Sequence, residues 1–143
     1  MARRTIKRPT LIEIEYVAHR LAQELMEYNE PIPPFETRYP AKLESCLNTP
    51  FQTFGRKSLY KTIEQKASML FYLMIKNHPF QNGNKRVAVT TLLYFLHENG
   101  RWLTVGNNDL YEFAKRIAAG DSKDKDIFLK EISDFIRKYM SIR

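Results

Sequence analysis

Residues 84–98 read as a helix with almost no polar side: Val87, Ala88, Val89, Leu92, Leu93, Phe95 and Leu96 fall all around it. A helix that is apolar on every face has none to offer to water, so it belongs at the centre of the fold with other elements packed about it. A second apolar run, residues 60–77, precedes it and is rich in Leu, Met, Phe and Tyr. It stops ahead of Pro79, because the residue before a proline avoids the α region.

The remaining segments supply the surrounding layer. Thr10-Leu11-Ile12-Glu13 has the form of a capping box, and Leu11, Ile14, Ala18, Leu21 and Leu25 recur at helical spacing, which predicts an amphipathic helix to about Tyr28. Pro31, Pro33 and Pro34 end it as a stiff connection. Pro40 suits a first helical turn and opens a short helix through Leu43 to Leu47. Residues 48–55 carry aromatics and β-branched side chains without a helical stripe, an exposed loop or short hairpin. Asn99-Gly100 is a helix stop. A fifth helix begins near Asn107-Asn108-Asp109 and ends at Gly120; the sixth, residues 125–139, sets Phe128, Ile132, Phe135 and Ile136 on one side. No strand period occurs beyond the loop in the 50s. The expected fold is all-α, a compact bundle of about six helices with a short flap loop or hairpin. Its domain organisation is a basic tail over residues 1–9 and one domain over residues 10–143.

Charge matters only once it is localised. The chain is +7, but Arg3, Arg4, Lys7 and Arg8 supply four of those charges, and 7 − 4 leaves +3 for the body. A frayed basic tail is the expectation rather than a nucleic-acid arm, so no direct nucleic-acid partner is expected. Pro9, Glu13 and Glu15 interrupt any apolar stretch after the basic start, which argues against a signal peptide. No run approaches the ~18 apolar residues of a membrane span. Cys46 is the single cysteine, which excludes internal disulfides and Cys-x-x-Cys metal sites. A cytoplasmic protein is expected.

Between the two apolar helices stands His78-Pro79-Phe80-Gln81-Asn82-Gly83-Asn84-Lys85-Arg86. Two cations in a helix's first turn oppose its dipole by about 0.3–1 kcal/mol each, a mismatch that an anion would relieve. Free N–H groups at a helix start together with two cations make a phosphate site. His78, just past the end of a helix, offers an imidazole able to take a proton from a hydroxyl. Phe80 reads as an apolar anchor. Gly83 allows the positive φ of a tight anion-binding turn. Asn84 suits a helix cap or an amide contact to phosphate, and Lys85 and Arg86 offer a point charge and a planar fork. On residue types alone, a helix corner with a solvated basic patch also remains open. No Walker-type phosphate loop is present. His19, beside Arg20, reads as an ordinary surface or edge residue, His97 as a helix C-terminal residue, and Trp102, Phe71, Tyr72, Tyr94 and Phe95 as core.

The segment resembles the signature of the Fic/Doc superfamily: His, any, Phe, any, Asp or Glu, Gly or Ala, Asn, Gly or Lys, Arg. His78, Phe80, Gly83, Asn84, Lys85 and Arg86 match it in order and spacing, and Leu43-Glu44-Ser45-Cys46-Leu47 resembles the Leu-Glu-Ser-Ala-Leu element upstream in Doc-like proteins. Lys85 in place of glycine points to the Doc (death-on-curing) branch. The resemblance covers roughly residues 10 to 140. It implies that His78 is the base for a target hydroxyl, and that Gly83, Asn84, Lys85 and Arg86 bind the phosphates of ATP. It also implies that Thr53, Phe54 and Gly55 belong to the flap that docks the target by strand addition.

With lysine at this position, the resemblance implies transfer of the terminal phosphate of ATP; AMP transfer and a nucleotide-binding regulator with little catalysis are the alternatives. The expected substrate is a Ser/Thr hydroxyl of a translation factor, such as an elongation GTPase. The internal inhibitory pattern of many Fic proteins, Ser/Thr-x-x-x-Glu-Gly/Asn, is absent, so an antitoxin protein is the expected partner. The family's Mg2+-holding acid is Asn82 here. An amide oxygen carries no formal charge and should hold the ion less well. Phosphate oxygens with help from Asn82, another carboxylate, or little transfer at all are the three readings this leaves.

Overall fold

A computed structural model describes residues 5–26 and 30–142. The fold is predominantly helical, with six helices among the described residues. They are α1 (residues 11–25), α2 (Pro40–Asn48), α3 (Ile63–Lys76), α4 (Asn84–Glu98), α5 (Asn107–Ala119) and α6 (Lys125–Tyr139). Short 3-10 turns occupy Phe35–Thr37, Thr49–Phe51 and Ser122–Asp124.

α4 runs through the centre, packed against α3, α5 and α1, while α3 also packs on α6. Val87, Ala88, Val89, Leu92, Phe95 and Leu96 are buried, each large side chain worth about 1.5–3 kcal/mol for leaving water. On α3, Phe71 and Tyr72 are buried; Tyr94 and Trp102 are only half-buried, lying where α4 and the strand after it reach the surface. Thr62 opens α3 with a full capping box to Gln65.

α1 departs from the expected stripe. Thr10 and Glu13 do form the capping box, but Ile14–His19 is wound as a π-helix before α-winding resumes over Arg20–Leu25. The wider winding turns the inward face onto Ile14, Ala18, Ala22 and Met26, and leaves Leu21 and Leu25 exposed. Tyr28, the expected end, lies outside the described residues.

Two small antiparallel pairs complete the fold. β1 (Thr53–Phe54) and β2 (Lys57–Ser58) form a hairpin in the flap region. β3 (Arg101–Leu103) pairs with β4 (Met140–Ile142), a second small pair within a fold that is helical as expected. Three-residue strands far apart in the chain carry no period that a sequence could display. The basic N-terminal segment is also partly anchored. The Lys7 N–H donates to Asn99 Oδ1 at 2.7 Å, and Arg8 bonds the Leu47 carbonyl at 3.1 Å and stacks over Phe51. Arg3 and Arg4 lie outside the described residues.

Candidate functional site

α3 stops at Lys76 with Asn77 as its C-cap. The next residue, His78, takes φ +49°, the left-handed conformation that usually falls to glycine after a helix. A Cβ there costs roughly 1–2 kcal/mol, so a histidine is held where stability alone would favour glycine. Its side chain is exposed, whereas Pro79 and Phe80 are buried. The loop is fastened from three sides. The Tyr39 N–H donates to the Pro79 carbonyl at 2.8 Å. Phe80 packs against Phe35 and His19, with ring centroids 6.0 and 5.3 Å apart. Asn84 bridges the Phe80 backbone: its Oδ1 accepts from the Phe80 N–H at 2.8 Å and its Nδ2 donates to the Phe80 carbonyl at 2.9 Å.

That pair of hydrogen bonds settles which way the Asn84 amide points. Its Nδ2 also faces Nδ1 of His78 at 3.5 Å, the outer edge of hydrogen bonding. Asn84 is therefore first a clamp that sets the loop.

Gly83 is the N-cap of α4 at φ +78°. A Cβ on it would come within 2.9 Å of Ile32 Cγ1, so both conformation and space require glycine. Its N–H donates to Asn82 Oδ1 at 2.8 Å; presenting that N–H to an anion means turning the exposed Asn82 side chain, whereas the amide oxygen has a second lone pair for a metal. Lys85 is half-buried in the first turn of α4, where the N–H groups lack intrahelical acceptors. Arg86 is buried, donating to the carbonyls of Met26 and Glu30 with the Glu30 carboxylate 3.9 Å away. Both bonds are made by Nη1, and the side chain is 4% exposed.

His19 corrects the expectation of a surface residue. It is 2% exposed, donates from Nε2 to the Pro33 carbonyl at 3.1 Å and supports both Phe35 and Phe80. Burial pulls its pKa below the ordinary value, against the Pro33 hydrogen bond and the charges of Glu36 and Glu15, which raise it. The small neighbours Ala18 and Ala22 were the available signal, since they mark a face in close contact; Thr90 Oγ1 on α4 reaches the Ala18 carbonyl at 2.7 Å. Ile32, Phe35 and Tyr39 had no such signal.

The flap residues Thr53, Phe54 and Gly55 sit in the β1–β2 hairpin, with Thr53 opposite Ser58 and Phe54 opposite Lys57. Gly55 and Arg56 both take positive φ, +58° and +68°, as the tightest hairpin turn requires. Phe54 is 81% exposed. For a metal the donors are sparse. Asn82 offers one neutral oxygen, and among the described residues no three His, Cys, Asp or Glu side chains cluster. Among the described residues there is thus no ready-made cluster of donors for Mg2+, and an ion accompanying ATP would rest mainly on phosphate oxygens.

The family model described as Fic/DOC family matches residues 10–96, a span running from the capping box of α1 to the last turn of α4. The chain belongs to the Fic/Doc family. Fic/Doc proteins generally transfer phosphate-bearing groups from nucleotides to proteins, with ATP as substrate and typically with Mg2+. Among curated proteins and solved structures, none matches the chain. Among the described residues, no helix is long and apolar enough to cross a membrane.

Proposed function

We propose that this Fic/Doc chain is a Doc-like protein kinase, moving the terminal phosphate of ATP onto a Ser/Thr hydroxyl of a translation factor. In the same reading it is the toxin of a toxin–antitoxin pair in the cytoplasm, restrained by a separate antitoxin protein. The carrying observation is the clamp by which Asn84 binds both backbone groups of Phe80 while its Nδ2 faces the imidazole of the strained His78. Lys85 stands next to that clamp in the first turn of α4.

His78 takes the proton of the target hydroxyl as its oxygen forms a bond to the terminal phosphorus. The bond from that phosphorus to the bridging oxygen breaks, and ADP leaves. Phosphoryl transfer needs positioning and neutralisation of charge more than covalent help. Lys85 and the first-turn N–H groups of α4 supply the charge, and the Asn84–Phe80 clamp supplies the position.

ATP labelled in either its terminal or its innermost phosphate, incubated with the protein in cell lysate, tests the reading. Terminal label on a protein band supports it. Innermost label on protein would show AMP transfer instead, and neither label with ATP still bound would show a nucleotide-binding regulator. Calorimetry that detects no ATP uptake would remove the reading altogether.

A further inference from the structure

Behind the β1–β2 hairpin lies a cavity of about 900 Å³ whose charged lining has one sign. Arg56 and Lys57 enter it from the hairpin, Lys61 from just before α3 and Lys66 from its first turn, and Ser58 and Thr62 add hydroxyls. No carboxylate lines it among the described residues, and there Arg56, Lys57 and Lys61 form no ion pair. Lys66 is buried, its ammonium bonded to the Tyr60 carbonyl and its pKa lowered by desolvation. Uncompensated cations around a concave surface repel one another, and an anion brought among them relieves that repulsion.

The hairpin has only two strands, so among the described residues its outer main-chain edges are unpaired. An extended polypeptide can pair with such an edge. A single-stranded nucleic acid would want bare rings for its bases to stack on. Phe51, the aromatic side chain in the lining, has its ring covered by Arg8 and its edge against Phe95. The cavity is at the N-terminal end of α3 and His78 lies just past the C-terminal end. At 1.5 Å per residue that helix separates them by about 20 Å, which six or so extended residues would bridge.

We infer that this cavity is an exosite for an acidic segment of the protein substrate, held one length of α3 from the hydroxyl presented to His78. The inference rests on the reading of the chain as acting on a protein, and its experiment is independent of transfer. Fluorescence anisotropy of the whole protein carrying His78→Ala, without ATP, is measured with a labelled peptide containing a run of glutamates. The comparison probes are its glutamine counterpart and an oligouridylate of equal length. The glutamate peptide is expected to bind best, and Arg56→Glu with Lys57→Glu to weaken it about fivefold or more.

The pair Lys115→Glu with Lys138→Glu, on α5 and α6, makes the same change in net charge and is expected to change binding less than twofold. Equal loss in both pairs would reduce the effect to overall charge and overturn the exosite. So would equal binding of the glutamine peptide, or tighter oligouridylate binding that the Arg56/Lys57 change abolishes. Loss of ATP uptake with peptide binding intact strikes the kinase reading alone; loss of peptide binding with ATP uptake intact strikes the exosite alone.

Discussion

The loop that carries His78 and the hairpin that carries Gly55 use the same backbone device. Each contains one glycine and one side-chain-bearing residue at positive φ: Gly83 and His78 in the first, Gly55 and Arg56 in the second. Their surroundings differ. The first is over-determined by the Asn84 clamp, the Tyr39–Pro79 bond, buried Phe80 and Ile32 pressing on Gly83. The second projects into solvent, and a Cβ on Gly55 would meet nothing within 4 Å. Strain held by buried partners persists and keeps chemical groups in place. A two-pair hairpin in water is marginal on its own and suits an element that adapts to a partner.

The largest test of this contrast is His78. Its replacement by alanine is expected to cost about 10²–10⁴-fold in transfer with an unchanged melting curve. His78→Gly should be equally inactive yet up to about 1 kcal/mol more stable, since it relieves the left-handed strain. A less stable glycine variant would show that the strain is not there.

Next come the two glycines. Gly83→Ala meets both the φ penalty and the Ile32 contact and should lose about 2–4 kcal/mol in denaturant unfolding. Gly55→Ala meets the first alone and should lose about 1 kcal/mol; equal losses would erase the distinction between the loops. Asn84→Ala leaves the Phe80 N–H and carbonyl unpaired and is expected to cost about 1–3 kcal/mol, with transfer reduced as well.

The smallest effect is one of pH. His19 has a lowered pKa when folded, so below about 6.5 the unfolded chain takes up a proton that the folded chain refuses. Its contribution is therefore a loss of stability as pH falls from about 6.5 and none above it. His19→Gln, which keeps a donor for Pro33, should flatten that part of the stability–pH curve relative to the parent. An unchanged slope would separate His19 from the acid response of the loop.

Much of the frame was readable from residue order, because helix stops, caps and apolar runs act within a few positions. Thr10 and Glu13, Pro40 and the bounds of α4 and α6 are of this kind, and so is the candidate site, whose residues are contiguous from His78 to Arg86. What those residues touch was not readable. The π-turn in α1 that moves Leu21 and Leu25 outward is local but has no marker in the residue order, while the burial of His19 under Phe80, the β3–β4 pairing and the capture of Arg86 by Met26 and Glu30 join positions far apart in the chain. Such contacts depend on which surfaces close packing brings together. Sequence alone determined a central apolar helix with a histidine–asparagine–lysine junction at its start. Tertiary structure decided which of those polar groups serve as clamps, because a buried donor or acceptor must find a partner wherever the packed chain provides one.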